Sequence, residues 1–391
     1  MRIGVDASCW NNKRGFGRFT RELLGALLND DSEHEYLFFL DDKTPDHESI
    51  PARAKRILVN TGESQLQAAG ADGRRSITDI WSMSRAVRRT DLDVFFFPTV
   101  YSYFPVFNNA KIVVTIHDVI AENHPELIFS NSRAKFFWTV KQMVALRQAD
   151  LIATVSDHSK RALIDRFRLP ESRVRVISEA ARQVFTLLDE PTVSASLAKL
   201  GLSAHERFIL YVGGISPHKN LAALVDAFKL ITESGSEPNL KLVLVGDYKD
   251  DPFLSAYPQL TKKVKEYGLD NRVVFTGFIE DIDLAALYNA AQLLVFPSLD
   301  EGFGLPAVEA MACGTPVAAS RTGSLPEVLG SAGRFFDPNL TRDIADVVQS
   351  ILSDEAIREE MRFKGLEVSE TFRWERAAAE TLTIFGDLVE N

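Results

Sequence analysis

The stretch that most limits how this chain can fold is Pro297-Ser-Leu-Asp-Glu301-Gly-Phe303-Gly304-Leu305-Pro306-Ala-Val-Glu309-Ala-Met-Ala-Cys-Gly314-Thr-Pro316. The apolar run before it, Gln292 to Phe296, reads as a buried strand. Glycines then turn the chain into a helix. Pro306 suits the first helical position, where a missing N–H costs nothing. Gly314, with Pro316 behind it, suits the helix end. Val317-Ala-Ala-Ser320 is a second strand, so the segment reads strand, glycine loop, helix, strand.

A turn of this kind leaves N–H groups around Phe303, Gly304 and Leu305 at a helix N-terminus. That end carries roughly +0.5 of an elementary charge and favours phosphate. Glu301 lies in the loop, and Glu309 is placed in the first helical turn, eight residues on. An ionised carboxylate only accepts hydrogen bonds, so it suits pairs of sugar hydroxyls. Phosphate donors beside two diol acceptors describe a nucleotide-sugar site. The plainer reading has Glu309 complementing the helix dipole and Glu301 solvated. It suits either glutamate alone better than it suits the whole string.

The same residues carry a resemblance. Two glutamates with seven residues between them, the second inside Phe303-Gly-Leu-Pro-x-x-Glu309-Ala-Met-Ala-x-Gly314-x-Pro316-Val317, resemble the retaining glycosyltransferases of family 4. The resemblance implies the α/β architecture called GT-B, two Rossmann-like domains facing a central cleft. The expected division is 1–185 as an acceptor domain, with a C-terminal helix at 373–391 crossing back onto it, and 200–372 as the nucleotide-sugar donor domain. The segment from Glu179 to about His205 shows no strand pattern and reads as the linker.

Length and composition agree. A chain of 391 residues with 46% apolar and 25% charged content is a soluble globular protein of about two domains. No run reaches the roughly 18 apolar residues of a membrane span, and Met1-Arg-Ile-Gly-Val-Asp6 reads as a first strand, not a signal peptide. Cys9 and Cys313 are the only cysteines, which fits a reducing cytoplasm without a disulfide framework. Residues 1–190 hold 26 Lys+Arg against 25 Asp+Glu, and the remainder 18 against 29, so the net charge of −10 sits in the second half. No nucleic-acid partner is expected there. Basic and aromatic residues mix in the first half, in Arg133-Ala-Lys-Phe-Phe-Trp138 and from Arg85 to Arg89. Such segments suit peripheral contact with an anionic membrane surface, at its cytoplasmic face, or are ordinary solvated helix faces.

Along the chain, strands are expected at Arg2–Val5, Tyr36–Leu40, Arg56–Asn60, Val94–Pro98, Lys111–Ile116, Leu151–Val155 and Arg173–Ile177. They alternate with helices such as Phe19–Leu28, Trp81–Arg89 and Ala134–Gln148, which implies a parallel sheet. Residues 61–80 read as a loop. The pattern restarts at Phe208–Val212, then Lys241–Gly246 and Val273–Gly277. Two glycine loops follow strands: Asn11–Arg18 with Gly15 and Gly17, and Gly213-Gly214-Ile-Ser-Pro-His218-Lys219-Asn220. Glycine there admits close approach of a ligand. Lys219 offers a compact positive charge for a diphosphate leaving group. His117 sits where the Lys111 strand opens, and ligands of doubly wound sheets bind at strand carboxyl ends.

The resemblance implies the roles. His117 faces the transferred sugar, and its run to Glu126 resembles mannosyltransferases. Lys219 grips the diphosphate, Glu301 holds donor-sugar hydroxyls, and Glu309 holds the ribose diol. Phe303, Gly304 and Leu305 supply backbone contacts. The turn Gly277-Phe278-Ile279 lies near the base, and Gly15, Gly17, Gly213 and Gly214 approach the donor. The family's usual arginine is replaced by Gly214, leaving His218, Arg182 or Arg18 as the second cation. Two Asp-x-Asp strings, Asp91-Leu-Asp93 and Asp281-Ile-Asp283, precede a strand and a helix, so they read as structural, the second as a helix cap; no metal or cofactor is expected. The expected donor is GDP-mannose, with a UDP-sugar as the alternative, and the expected acceptor is a saccharide or glycolipid of a surface polysaccharide. A dehydrogenase is excluded because neither loop has Gly-x-Gly-x-x-Gly. A GT-B epimerase and a non-catalytic nucleotide-sugar binder are the rival readings.

Overall fold

The computed structural model describes residues 1–30, 33–43, 49–62, 76–203, 205–235, 237–248 and 254–390. The chain divides into two compact units, Met1–Glu179 with Arg373–Asn391, and Ala180–Phe372.

The first unit is built on seven parallel strands: β1 (Arg2–Asp6), β2 (Glu35–Asp41), β3 (Lys55–Val59), β4 (Val94–Phe97), β5 (Lys111–Thr115), β6 (Leu151–Thr154) and β7 (Val174–Val176). Their order is β3-β2-β1-β4-β5-β6-β7. Central strands of such sheets are covered on both faces and read as continuous apolar runs. Val94-Phe-Phe-Phe97 is the clearest case, with every residue fully buried. Helix α1 (Gly15–Asp30) follows β1, α2 (Ile77–Arg88) leads into β4, and α3 (Ser132–Gln148) leads into β6. The expected loop at 61–80 falls largely outside the described residues at 63–75, and α2 claims its last four positions. The final helix, Trp374–Glu390, packs on α1. Its Trp374 meets Phe19 edge-on at 6.0 Å, and its Phe385 meets Phe96 at 5.4 Å.

The second unit holds β8 (Phe208–Val212), β9 (Lys241–Val245), β10 (Val273–Gly277), β11 (Leu293–Phe296), β12 (Val317–Ser320) and β13 (Gly333–Phe336), all parallel, in the order β10-β9-β8-β11-β12-β13. The segment expected as linker is more than connecting chain. Helix α4 (Glu190–Lys199), capped by the Asp189 side chain on the Thr192 N–H, packs on α6 (Asp281–Ala290), so these residues belong to the second unit. Helix α5 (Leu221–Glu233) follows β8, and α7 (Leu305–Ala312) follows β11.

Candidate active site

In the second unit the strand order reverses at β8, which pairs with β9 on one side and β11 on the other. Loops leaving two such strands diverge at their carboxyl ends, and ligands bind there. Lys219 comes from the β8 loop and Glu301 from the β11 loop. A backbone bond ties the loops together, the Leu299 N–H donating to the His218 carbonyl at 2.9 Å. The side chains then close an ion pair, Lys219 Nζ to Glu301 Oε1, at 2.6 Å, with only 17% and 9% of their side-chain surface exposed. Glu301 is therefore not a solvated carboxylate, which removes the plainer reading of that residue.

The glycines of these loops are set by close approach. Gly213 has φ +151°, and a Cβ there would lie 2.7 Å from the Tyr211 hydroxyl, which donates to the Gly214 carbonyl at 2.8 Å. The segment after β12 clamps the Glu301 loop. Ser324 is fully buried. Its N–H and hydroxyl both donate to the Glu301 carbonyl at 3.1 Å, and its hydroxyl reaches the Phe303 carbonyl at 2.8 Å. Gly323 has φ +62°, and a Cβ there would sit 2.6 Å from the Glu301 nitrogen. Sequence reasoning missed this pair; a Gly-Ser after a short strand carries no signal of which loop it will press against.

Helix α7 starts at Leu305, one residue earlier than expected, so Pro306 takes its second position. Gly304 caps it at φ +98° with no side-chain cap bond. The first N–H groups of a helix have no partner within it, so this end suits an anion beside Lys219. Glu309 lies one turn inside α7, not in its first turn, because the helix begins one residue earlier than expected. It is 1% exposed, and the Tyr288 hydroxyl donates to its Oε2 at 3.1 Å. Burial, then the Glu309 charge, pushes the Cys313 thiol up. Phe303 turns its ring inward onto Phe372, centroids 5.5 Å apart, so its backbone is the part left for a ligand. Of the turn expected near the base, Gly277 has φ +75°, Phe278 is 44% exposed and Ile279 is buried.

In the first unit, β1 and β4 flank the equivalent reversal. His117, just past β5, reaches it: its Nε2 is 3.1 Å from the Pro98 carbonyl after β4. Its Nδ1 is 3.5 Å from Glu179 Oε1, and Phe19 packs edge-on at 4.9 Å. The ring is thus held on three sides. Gly15 and Gly17 are not loop residues; they form the first turn of α1. Gly17 is needed because a Cβ there would lie 2.1 Å from the Asn12 carbonyl. Glu122, in a short helix after His117, also escaped the sequence reading. The Trp138 indole donates to its Oε1 at 2.6 Å, while its Oε2 is buried without a partner. Burial pushes its carboxyl up to about 7.

The comparisons with known proteins bear on both units. A family model described as Glycosyltransferase Family 4 matches residues 13–180, and one described as Glycosyl transferases group 1 matches residues 194–367. The O-antigen chain mannosyltransferase B of Escherichia coli is 31% identical over 70% of this chain and 70% of its own length. The chain belongs to the family 4 glycosyltransferases. The serotype-specific mannosyltransferase WbdA of Escherichia coli is 27% identical across 100% of this chain, which spans about half (48%) of that protein's length. Sucrose-phosphate synthase from Thermosynechococcus elongatus matches in structure with a TM-score of 0.77, at 23% identity over 99% of both chains. That likeness fixes the fold as GT-B.

Against the family pattern, Gly214 leaves the second cation open among His218, Arg182 and Arg18. Arg182 reaches Asp281 at 2.5 Å. Asp283 takes Lys199 at 3.1 Å. The Asp281 and Asp283 side chains therefore hold cations and do not cap α6, correcting the expected cap. Asp91 and Asp93 both bind Arg2, at 3.4 Å to its guanidinium and 2.7 Å to its N–H. His218 adjoins Lys219 in the same short turn, whereas Arg18 lies on α1 in the other unit.

Proposed function

We propose that this glycosyltransferase moves a hexosyl group, a mannosyl by our reading, from GDP-mannose to a hydroxyl of a growing glycan or glycolipid, with retention at the anomeric carbon. The observation that carries the reading is the buried Lys219–Glu301 pair, closed at 2.6 Å beside a helix end that no side chain caps. An ammonium has three donors and a carboxylate about four acceptor sites. After pairing, Lys219 keeps donors for diphosphate oxygens and Glu301 keeps acceptors for sugar hydroxyls. The α7 N–H groups share the phosphate charge, and Glu309 takes the ribose diol. Charge developing on the leaving diphosphate is then met by groups already in place, often the largest catalytic contribution.

His117 turns towards the donor sugar, and the first unit takes the acceptor. The mannosyl choice draws on relatives that are themselves mannosyltransferases. Among the described residues no helix is long and apolar enough to cross a membrane, and we place the protein in the cytoplasm, touching the membrane peripherally through its first unit.

Thermal shift with GDP, UDP, ADP and their sugars, on wild type and Glu309→Ala, tests the site. A ligand at 100 times its Kd adds about 2.7 kcal/mol to the folded state. Stabilisation by the guanosine series, lost in Glu309→Ala, is expected; none with any nucleotide would sink the proposal. Turnover of GDP-α-mannose should yield an α-mannoside by NMR, and a β-linked product would overturn retention.

A further inference from the structure

Helix α3 has two faces that its sequence pattern hides. Trp138, Gln142, Ala145 and Leu146 are buried against the first unit. On the outer side Phe136 is 63% exposed, Phe137 58%, Val140 43%, Met143 42% and Val144 38%. At 100° per residue these five fall within an arc of about 120°, an apolar stripe left exposed among the described residues. Arg133 and Arg147 lie within the same arc, towards the two ends of the helix, while Lys135 falls outside it near the helix start; all three are exposed. The helix contains no acidic residue.

A second patch continues the theme. On α2, Ile77 is 73% exposed and Trp81 58%, and Trp81 stacks on the exposed Phe107 at 5.8 Å. Arg85, Arg88 and Arg89 follow, all exposed. Residues 103–108 join the two helix ends: Gln148 of α3 bonds Val106 and the Tyr103 hydroxyl, and Asn108 bonds the last carbonyls of α2. None of the six basic residues is drawn into an ion pair among the described residues. In a chain of net charge −10, exposed cations with no acidic partner among the described residues, Arg133 lying over the Phe137 ring at 5.6 Å, surround exposed aromatics and mark a surface whose partner is both apolar and anionic.

We infer that the outer face of α3, extended by the Trp81–Phe107 patch, docks on an anionic lipid bilayer. Phenylalanines enter the acyl boundary while arginines at the ends of the stripe meet lipid phosphates, the arrangement by which an amphipathic helix lies in a membrane surface. The inference rests on the reading of the first unit as the membrane-touching side and names the face that makes the contact. Lying on the bilayer, that unit would meet a lipid-linked acceptor without the chain entering the membrane.

The test is sedimentation with vesicles of phosphatidylglycerol and phosphatidylcholine, or of phosphatidylcholine alone. Wild type should bind the mixed vesicles and not the neutral ones, with binding falling as salt rises. Arg133→Gln with Arg147→Gln should lower partition roughly twenty-five-fold, at about fivefold per charge. Phe136→Ser with Phe137→Ser should lower it by on the order of tenfold or more. These residues are exposed, so both variants should fold, and thermal shift with nucleotide should be unchanged in each; that control reports the donor site separately. Binding that persists in both variants would move the contact to another face. No binding to any vesicle would overturn the docking itself, as would a wild-type dimer that the phenylalanine variant dissociates.

Discussion

Lys219→Met is the perturbation that separates structure from chemistry at the site. At 2.6 Å and an effective dielectric of about 20, the attraction between Lys219 and Glu301 is about 6 kcal/mol, most of it offset by desolvation of the two ions. Removing the lysine leaves Glu301, 7% exposed, to bear its desolvation alone. Breaking a buried pair in this way costs about 3 kcal/mol, the lower end of the range because both side chains keep some water. For a unit of this length that is a fall in Tm of roughly 6–12 °C. The double variant Lys219→Met with Glu301→Gln no longer buries a lone charge and should recover to within about 1 kcal/mol of wild type. Activity should not follow. On the proposed function, loss of the ammonium should remove about 3 kcal/mol of transition-state stabilisation, roughly a hundredfold in kcat/KM. The double variant should stay at least that low. Differential scanning calorimetry and steady-state transfer from GDP-mannose read the two quantities. A single variant that melts like wild type, or a double variant that regains transfer, would refute the reasoning.

Two further predictions concern residues that motif reading did not single out. Glu122, with its carboxyl raised by burial from its ordinary value of 4.5 to about 7, stays protonated in the native state where the unfolded chain has already ionised. The Glu122 contribution to stability should therefore be greatest below about pH 4.5 and decline by about 3 kcal/mol as pH rises to about 7, levelling off above; urea midpoints against pH should differ between wild type and Glu122→Gln by that slope, and equal slopes would deny the burial effect. Ser324→Ala removes hydroxyl bonds to the Glu301 and Phe303 carbonyls and should cost about 1–2 kcal/mol of stability, with kcat lowered more than KM; unchanged kcat would mean the clamp does not position the loop.

The fold was legible because its signals are local. Each expected strand, from Arg2–Val5 to Val317–Ser320, is an apolar run short enough for a two-faced parallel sheet, and each meets a strand of the structure. Helix starts were less legible. Gly15 and Gly17 looked like loop because glycine weakens a helix, yet Gly17 lies in the first turn of α1 where only glycine clears the Asn12 carbonyl. The 190–199 helix was hidden because Asp189-Glu-Pro191 has the composition of a turn, although an Asp cap followed within two positions by proline equally opens a helix.

The candidate site divides in the same way. Glu301 and Glu309 stand out in the sequence because they sit in one string with the glycines that shape it. What that string cannot carry is the state of its side chains, because the partners come from other elements. Lys219 lies 82 positions from Glu301, and Tyr288 lies 21 from Glu309. The switch in strand order at β8 is what brings Lys219 and Glu301 together, since it places the β8 and β11 loops side by side. A motif therefore reports which groups a ligand could meet, while topology decides which are already paired before it arrives. At this site that difference makes Lys219 a cation held in place by Glu301 and not a mobile one, so on the proposed function the charge offered to the diphosphate would require no reorganisation when the bond breaks.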